Sequence, residues 1–174
     1  MSFVYHLSKI LKINEKSLIN SLKSFKGLPH RHEIFYKRNN KIFINDSKAT
    51  SFEASKFALK CNKNIFWIVG GFPKTGDRFQ LKEIKKNIVK AYIVGKHMKK
   101  FKRYLKGKIN FQLCGTLKKA VIQVFKDSRN ITNKKITILL SPASASYDQF
   151  KNFENRGNYF KKLIIKKFNN RQNV

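Results

Sequence analysis

Three short stretches of this chain carry residue types suited to holding an anionic molecule. Asp46-Ser47-Lys48-Ala49-Thr50 follows an apolar run and precedes a helical pattern. An acidic side chain just after a strand suits the hydroxyls of a ribose, and Lys48 and Thr50 just ahead of a helix suit a phosphate or a carboxylate. On the plainer reading Asp46 and Ser47 only turn and cap the chain, and the residues alone leave both readings open. The second stretch, GGFPKTGD at 70–77, combines glycines that permit close backbone approach with Lys74, presented from a loop stiffened by Pro73. Taken alone, a glycine-rich turn bearing one of many lysines accounts for it. The third, SPASASYDQFKNFENRG at 141–157, sets small residues and the hydroxyls of Ser144 and Ser146 between the run Ile136-Thr137-Ile138-Leu139-Leu140 and a helix. Asp148 is placed to cap that helix from near Gln149, and a helix N-terminus favours negative charge. An ordinary strand-to-helix turn has the same pattern.

Other chemistries find less support. No GxxxxGK[ST] loop occurs in the chain, so it has no phosphate-cradling P-loop of its own. A serine nucleophile is disfavoured: the surroundings of Ser146 are not GxSxG, and the four histidines, at 6, 30, 32 and 97, lie in other segments. His30 and Arg31, after Leu28-Pro29, add cationic character to the link that precedes the strands. Cys61 and Cys114 stand alone without CxxC spacing, which fits a reducing compartment and offers no metal site.

The elements that must position these stretches alternate regularly. Residues 3–26 read as two helices, the first with Phe3, Leu7, Ile10 and Leu11 on one face, the second starting after Asn14 with Leu18, Ile19, Leu22 and Phe25. Gly27-Leu28-Pro29 stops the second helix. The period then changes to two: 32–37 and 41–45 are strand-like, joined by a hairpin turn at Arg38-Asn39-Asn40. Ser51 caps a helix over 52–60 with Phe52, Ala54, Phe57 and Ala58 inward. Strands are predicted at 64–69, 91–94, 109–113 and 135–140, and helices at 81–88, 96–105, 117–125 and from about 149 to 168. This order predicts right-handed βαβ units: an α/β, Rossmann-like, mostly parallel sheet with helices on both faces. The end of the chain, 169–174, is expected to fray.

At 174 residues, 41% hydrophobic and with 16 Phe, the chain is long and apolar enough for one ordinary core. The formal net charge is +30, which ordinarily points to nucleic acid or an anionic surface. Here the charge is mostly lysine spread through every segment with abundant Asn, Ile and Phe, as an AT-rich coding sequence would give. With no RNP-like signature or zinc-finger spacing, the composition argues against nucleic acid as the primary partner. No stretch approaches the roughly 20 apolar residues of a membrane span. The opening MSFVYHLSKILKI lacks a signal-peptide core and cleavage site, which predicts a cytoplasmic chain.

Taken together, GLPHR at 27–31, NDSKAT at 45–50, GGFPK at 70–74 and the 141–157 stretch resemble, in order and approximate spacing, the Mur ligases, specifically their D-glutamate-adding type. The resemblance runs from about residue 17 to residue 163. It implies the C-terminal Rossmann-like domain of a three-domain enzyme at 28–170, with residues 1–27 as the helical tail of the central ATPase domain. The family uses ATP and Mg²⁺ to form an acyl phosphate on UDP-MurNAc-L-alanine, which D-glutamate then attacks to give an amide of peptidoglycan synthesis. By matching position, Thr50, Lys74, Ser146 and Phe153 would hold D-glutamate, and Arg31, Asp46 and Lys48 would face the nucleotide. Ser144 stands where the family often has Cys, and His32 where an apolar residue is usual. The P-loop, the Mg²⁺ ligands and the activating lysine belong to the family's other domains. The resemblance therefore implies no catalytic residue or metal ligand here, inactivity of the chain alone, and a separate chain carrying the N-terminal and central domains as a possible partner. The rival reading is a stand-alone basic Rossmann-like module that binds an anionic ligand or nucleic acid.

Overall fold

The computed structural model describes residues 2–169. Its centre is a sheet of six strands: β1 (Glu33–Arg38), β2 (Lys41–Asn45), β3 (Ile65–Gly70), β4 (Ile88–Val94), β5 (Phe111–Gly115) and β6 (Ile136–Leu140). Their spatial order is β1-β2-β6-β3-β4-β5. β1 and β2 form an antiparallel hairpin, and every other neighbouring pair is parallel. β3 and β6 are buried at every position, as their unbroken apolar runs require for strands covered on both faces.

Helices α3 (Phe52–Cys61) and α4 (Met98–Leu105) cover one face of the sheet. There Phe52, Leu59, Phe101 and Leu105 pack with Trp67 and Ile93. Helices α5 (Leu117–Asp127) and α6 (Phe153–Asn169) cover the other, where Val121, Val124, Phe160 and Ile164 meet Phe66, Ile68 and Ile138. The mostly parallel α/β sheet with helices on both faces is as the alternation predicts. None of the described helices is long and apolar enough to cross a membrane.

Four local readings are corrected. Residues 81–88 form no α-helix. Leu81 and Ile84 reach the core from a turn, a single 3₁₀ turn covers Lys85–Asn87, and Ile88 already pairs with Ile65 as the first residue of β4. The apolar spacing that imitates one helix face is thus shared between a turn and a strand. The last helix starts at Phe153, not near Gln149. The Gln149 and Phe150 amides turn back onto the Ser146 carbonyl, and the cap is Asn152, whose Oδ1 accepts from the Asn155 amide at 2.8 Å. Asp148 instead accepts from the Lys96 amide at 2.8 Å, tying the loop after β6 to the loop after β4. In α3, Phe52 and Ala58 face inward with Ser55 and Leu59, but Ala54 and Phe57 are exposed.

The leading helices form as read, α1 over Ser2–Ile10 and α2 over Glu15–Ser24, with Asn14 Oδ1 accepting from the Lys16 and Ser17 amides. Their apolar faces are left uncovered: Phe3, Ile10, Leu11, Ile19, Leu22 and Phe25 are exposed, and α2 buries no residue. The fraying expected at the chain end concerns residues 170–174, which lie outside the described residues, whereas Asn169 closes α6.

Candidate functional site

The strand order selects one place in this sheet. β2 is followed by α3 on one face, its neighbour β6 by α6 on the other, and β3 by a connection that returns to the first face through Phe79 and Leu81. Connections that part on either side of β6 open a crevice beyond the carboxyl ends of the strands, where open α/β sheets bind ligands. Register makes the three ends level, since Leu140 of β6 lies opposite Asn45 of β2 and Ile68 of β3. The loops at 46–50, 70–77 and 141–152 therefore meet there.

Hydrogen bonds weld them. The β3 loop and the β6 loop run together as an antiparallel bridge, Phe72 N–H to Ala145 O at 2.9 Å and Ala145 N–H to Phe72 O at 3.0 Å. Trp67 Nε1, wholly buried in β3, donates to the Ser141 carbonyl at 2.7 Å. Asp77 Oδ2 accepts from the Phe52 amide at 2.7 Å, joining the far end of the β3 loop to the start of α3. Gly71, at φ +140, lies where a Cβ would run into the Ala145 carbonyl and the Ser144 hydroxyl.

Beneath this junction sits Arg156, only 2% exposed. Its Nε donates to Ser47 Oγ at 3.0 Å, and its Nη2 donates to the carbonyls of Ser47 at 2.8 Å and Ser144 at 3.0 Å. Nη1 is buried without a hydrogen-bond partner. Burial pushes the guanidinium down to about 10, with the Asp148 carboxylate pulling the other way. A buried cation fixed by neutral groups leaves positive potential at the edge, which favours an anion there.

The structure brings some of the sequence-predicted residues into contact and leaves Thr50, Lys74 and Arg31 on exposed loop positions. Lys48 Nζ stands 3.8 Å from the centre of the Phe153 ring, and Ser47 Oγ donates to the Phe153 carbonyl at 2.9 Å, so the β2 loop and the head of α6 are in contact. Ser146 is 2% exposed within the β6 loop. Thr50 and Lys74 are exposed on the two loops that the Asp77–Phe52 bond ties together. Asp46, 8% exposed, accepts from Ser141 Oγ at 2.6 Å and from the His32 amide at 3.0 Å. Burial raises the Asp46 carboxyl above the ordinary range, opposed by the hydrogen bonds from Ser141 and the His32 amide and by the nearby Arg31 charge. Arg31 itself is exposed.

Sequence reasoning passed over Arg156, and it read His30 only as a cationic group of the link, whereas its ring is buried and accepts a hydrogen bond. Arg156 lies inside the 141–157 stretch but carried no role, because burial of a charge three residues into a helix leaves no mark in the pattern. His30 is buried against Phe153, ring centres 5.9 Å apart. Its Nδ1 accepts from Asn45 Nδ2 at 2.9 Å, since Asn45 Oδ1 already takes the Ser47 amide. Gly157 is required beside it, for a Cβ there would strike the imidazole. A groove of about 540 Å³ lined by Lys56, Leu81, Lys85 and Lys108 lies elsewhere, toward the starts of β4 and β5. The loop edge is the better site, because that groove is walled mainly by flexible lysines and Glu83 with no buried polar group of comparable commitment.

No family model matches the chain. Curated relatives do. It is 41% identical to the UDP-N-acetylmuramoylalanine–D-glutamate ligase of Wolbachia sp. subsp. Brugia malayi over 158 residues, 91% of this chain and 32% of that protein. The enzyme of the same name from Rhodospirillum rubrum is 40% identical over 152 residues, 87% of this chain and 32% of its own length. That from Rickettsia felis is 38% identical over 159 residues, 91% and 35% respectively. The chain thus spans about a third of the length of the curated relatives it matches. By sequence and fold it is a relative of the Mur ligases of the UDP-N-acetylmuramoylalanine–D-glutamate type, corresponding to their C-terminal third.

Proposed function

We propose that this chain is the D-glutamate-binding portion of an ATP-dependent ligase that joins D-glutamate to UDP-MurNAc-L-alanine in peptidoglycan synthesis. The observation that carries the reading is the meeting of the three loops at the carboxyl end of β6, over the buried Arg156. In this reading Lys74 pairs with a carboxylate of D-glutamate, Thr50 and Ser146 donate hydrogen bonds to it, and Phe153, fixed by Ser47 and Lys48, walls the pocket. Their contribution is binding and orientation, which lets the amine meet an activated carboxyl without a search.

The cationic edge fits the anionic side of a nucleotide, with Arg31 and Lys48 toward phosphate and Asp46 toward the ribose. ATP, when bound, supplies the activation of the accepting carboxyl. Among the described residues no three His, Cys, Asp or Glu side chains gather as a metal site. By resemblance to the family, Mg²⁺ ligands and the phosphate-cradling loop are assigned to the other domains of such an enzyme. Residues 1–27 are taken as the tail of its central domain, and 28–170 as its C-terminal domain. On this reading the chain alone forms no amide.

Titration of the chain with D-glutamate, followed by NMR at the loop amides, tests the proposal. Binding should concentrate its shifts on 46–50, 72–75 and 144–154 and weaken at least about tenfold in Lys74→Ala, the order expected for loss of a charge-assisted hydrogen bond. Salt-sensitive binding of generic DNA that ignores Lys74→Ala, with no response to D-glutamate, would instead make this a stand-alone basic module.

A further inference from the structure

Resting on the nucleotide-facing reading of Arg31 and Asp46, we propose that His32 is the positioning residue of that edge: its imidazole anchors the 30–32 turn to α3, so that Arg31 and the Asp46 carboxylate are presented together. The turn needs anchoring. His30 and His32 both have left-handed backbones, φ +62 and +46, a conformation that a residue with a Cβ keeps only where contacts hold it. Arg31 lies between them, exposed.

The two histidines hold the turn from opposite sides. The His30 ring is buried against Phe153 and Asn45. The His32 ring reaches the other way, to α3 and its C-terminal cap. Asn62 Nδ2 donates to the Ala58 carbonyl at 2.8 Å and to His32 Nε2 at 2.9 Å, so the ring serves as acceptor. Phe57 stands edge-on to the same ring, centres 5.6 Å apart, and is 64% exposed. A large apolar side chain left in solvent is explained if its use is to shield the Asn62–His32 bond from water. With the ring so placed, the His32 amide points at Asp46 Oδ1, 3.0 Å away, while Ser141 Oγ takes the other oxygen. The chain of contacts therefore runs from α3 through His32 to the one acidic side chain of the β2 loop.

Three variants separate this role from plain structure: His32→Leu, which keeps bulk but removes the acceptor, His32→Gln, which restores an acceptor, and Arg31→Ala. Each is titrated with ADP, and amide hydrogen exchange is followed at position 32. His32→Leu should exchange that amide about tenfold faster and bind ADP about tenfold more weakly, the worth of one net hydrogen bond, while His32→Gln recovers most of both. Wild-type exchange and wild-type ADP affinity in His32→Leu would overturn the proposal. Failure of His32→Gln to rescue would overturn it too, by showing that ring packing and not the acceptor matters. If the wild-type chain takes no ADP, or Arg31→Ala takes it equally well, the nucleotide reading itself falls and the role of His32 falls with it, an outcome that exchange data alone would not produce.

Discussion

At the scale of single residues, the edge depends on groups that cannot be exchanged for near neighbours. Arg156 serves three acceptors at once through a planar fork, and a lysine has one flexible point of donation to offer in its place. Arg156→Lys should therefore cost about 1.5–3 kcal/mol, the range for hydrogen bonds to charged groups, read as a lowered denaturant midpoint. Because burial depresses this base, the unfolded chain holds the proton more tightly than the folded one. The group thus subtracts from stability at neutral pH, and the penalty shrinks as pH rises through about 10. Gly71 is the second such position. Gly71→Ala forces a Cβ into the Ala145 carbonyl at a left-handed φ, so it should cost about 1–3 kcal/mol and broaden the D-glutamate-induced shifts of the 144–146 amides.

Between elements, the strongest polar tie away from the edge joins α5 to the sheet. Asp127 near the end of α5 accepts from Lys90 Nζ and from the buried Tyr92 hydroxyl, both at 2.7 Å, and from Gln123 Nε2 at 2.7 Å. Burial alone would push the Asp127 carboxyl up, but those hydrogen bonds and the Lys90 charge outweigh it and leave the group below its ordinary 3.8. A depressed carboxyl adds stability that is present above the unfolded value and lost as pH falls through the folded one. Thermal unfolding of the wild type should accordingly lose stability below about pH 4, and Asp127→Asn should be less stable at neutral pH and flatter through that acid range. The same scale shows what the sequence makes legible. Unbroken apolar runs identify β3 and β6, and Ser51 marks a helix start with a hydroxyl that does cap, accepting from the Ala54 amide; the equivalent cap of α5, Thr116 on the Lys119 amide, is seen only in the structure. Leu81, Ile84 and Ile88 mislead because periodicity reports burial and not conformation, and burial is met here by a turn and a strand. Asp148 misleads because a capping residue type has no knowledge of which amide is nearest, and the Lys96 amide is. The site loops are legible as motifs; the buried guanidinium beneath them is a product of tertiary packing.

For the molecule as a whole, the leading helices and the rest of the chain differ in how they hold together. From β1 onward, aromatic and aliphatic side chains close two cores against one sheet. The leading helices contribute to neither, and Phe3 and Ile10 of α1 are 77% and 76% exposed. Apolar area that stays in water adds nothing to folding stability, but a contiguous patch of it promotes association. Removing residues 1–27 should therefore leave the melting temperature within about 3 °C, the shift that about 1 kcal/mol gives a domain of this size, while abolishing most binding of a hydrophobic dye. It should also leave intact the loop bonds at the edge, whose partners all lie beyond residue 27. The measurement is a pair of melting curves with dye fluorescence for the full chain and for 28–174. A drop of 10 °C or more on truncation would mean that α1 and α2 pack on the sheet in solution, and that the boundary at residue 27 is drawn in the wrong place. Unchanged melting with the dye signal gone would show that the two helices add their apolar surface to solvent and nothing to the stability of the sheet.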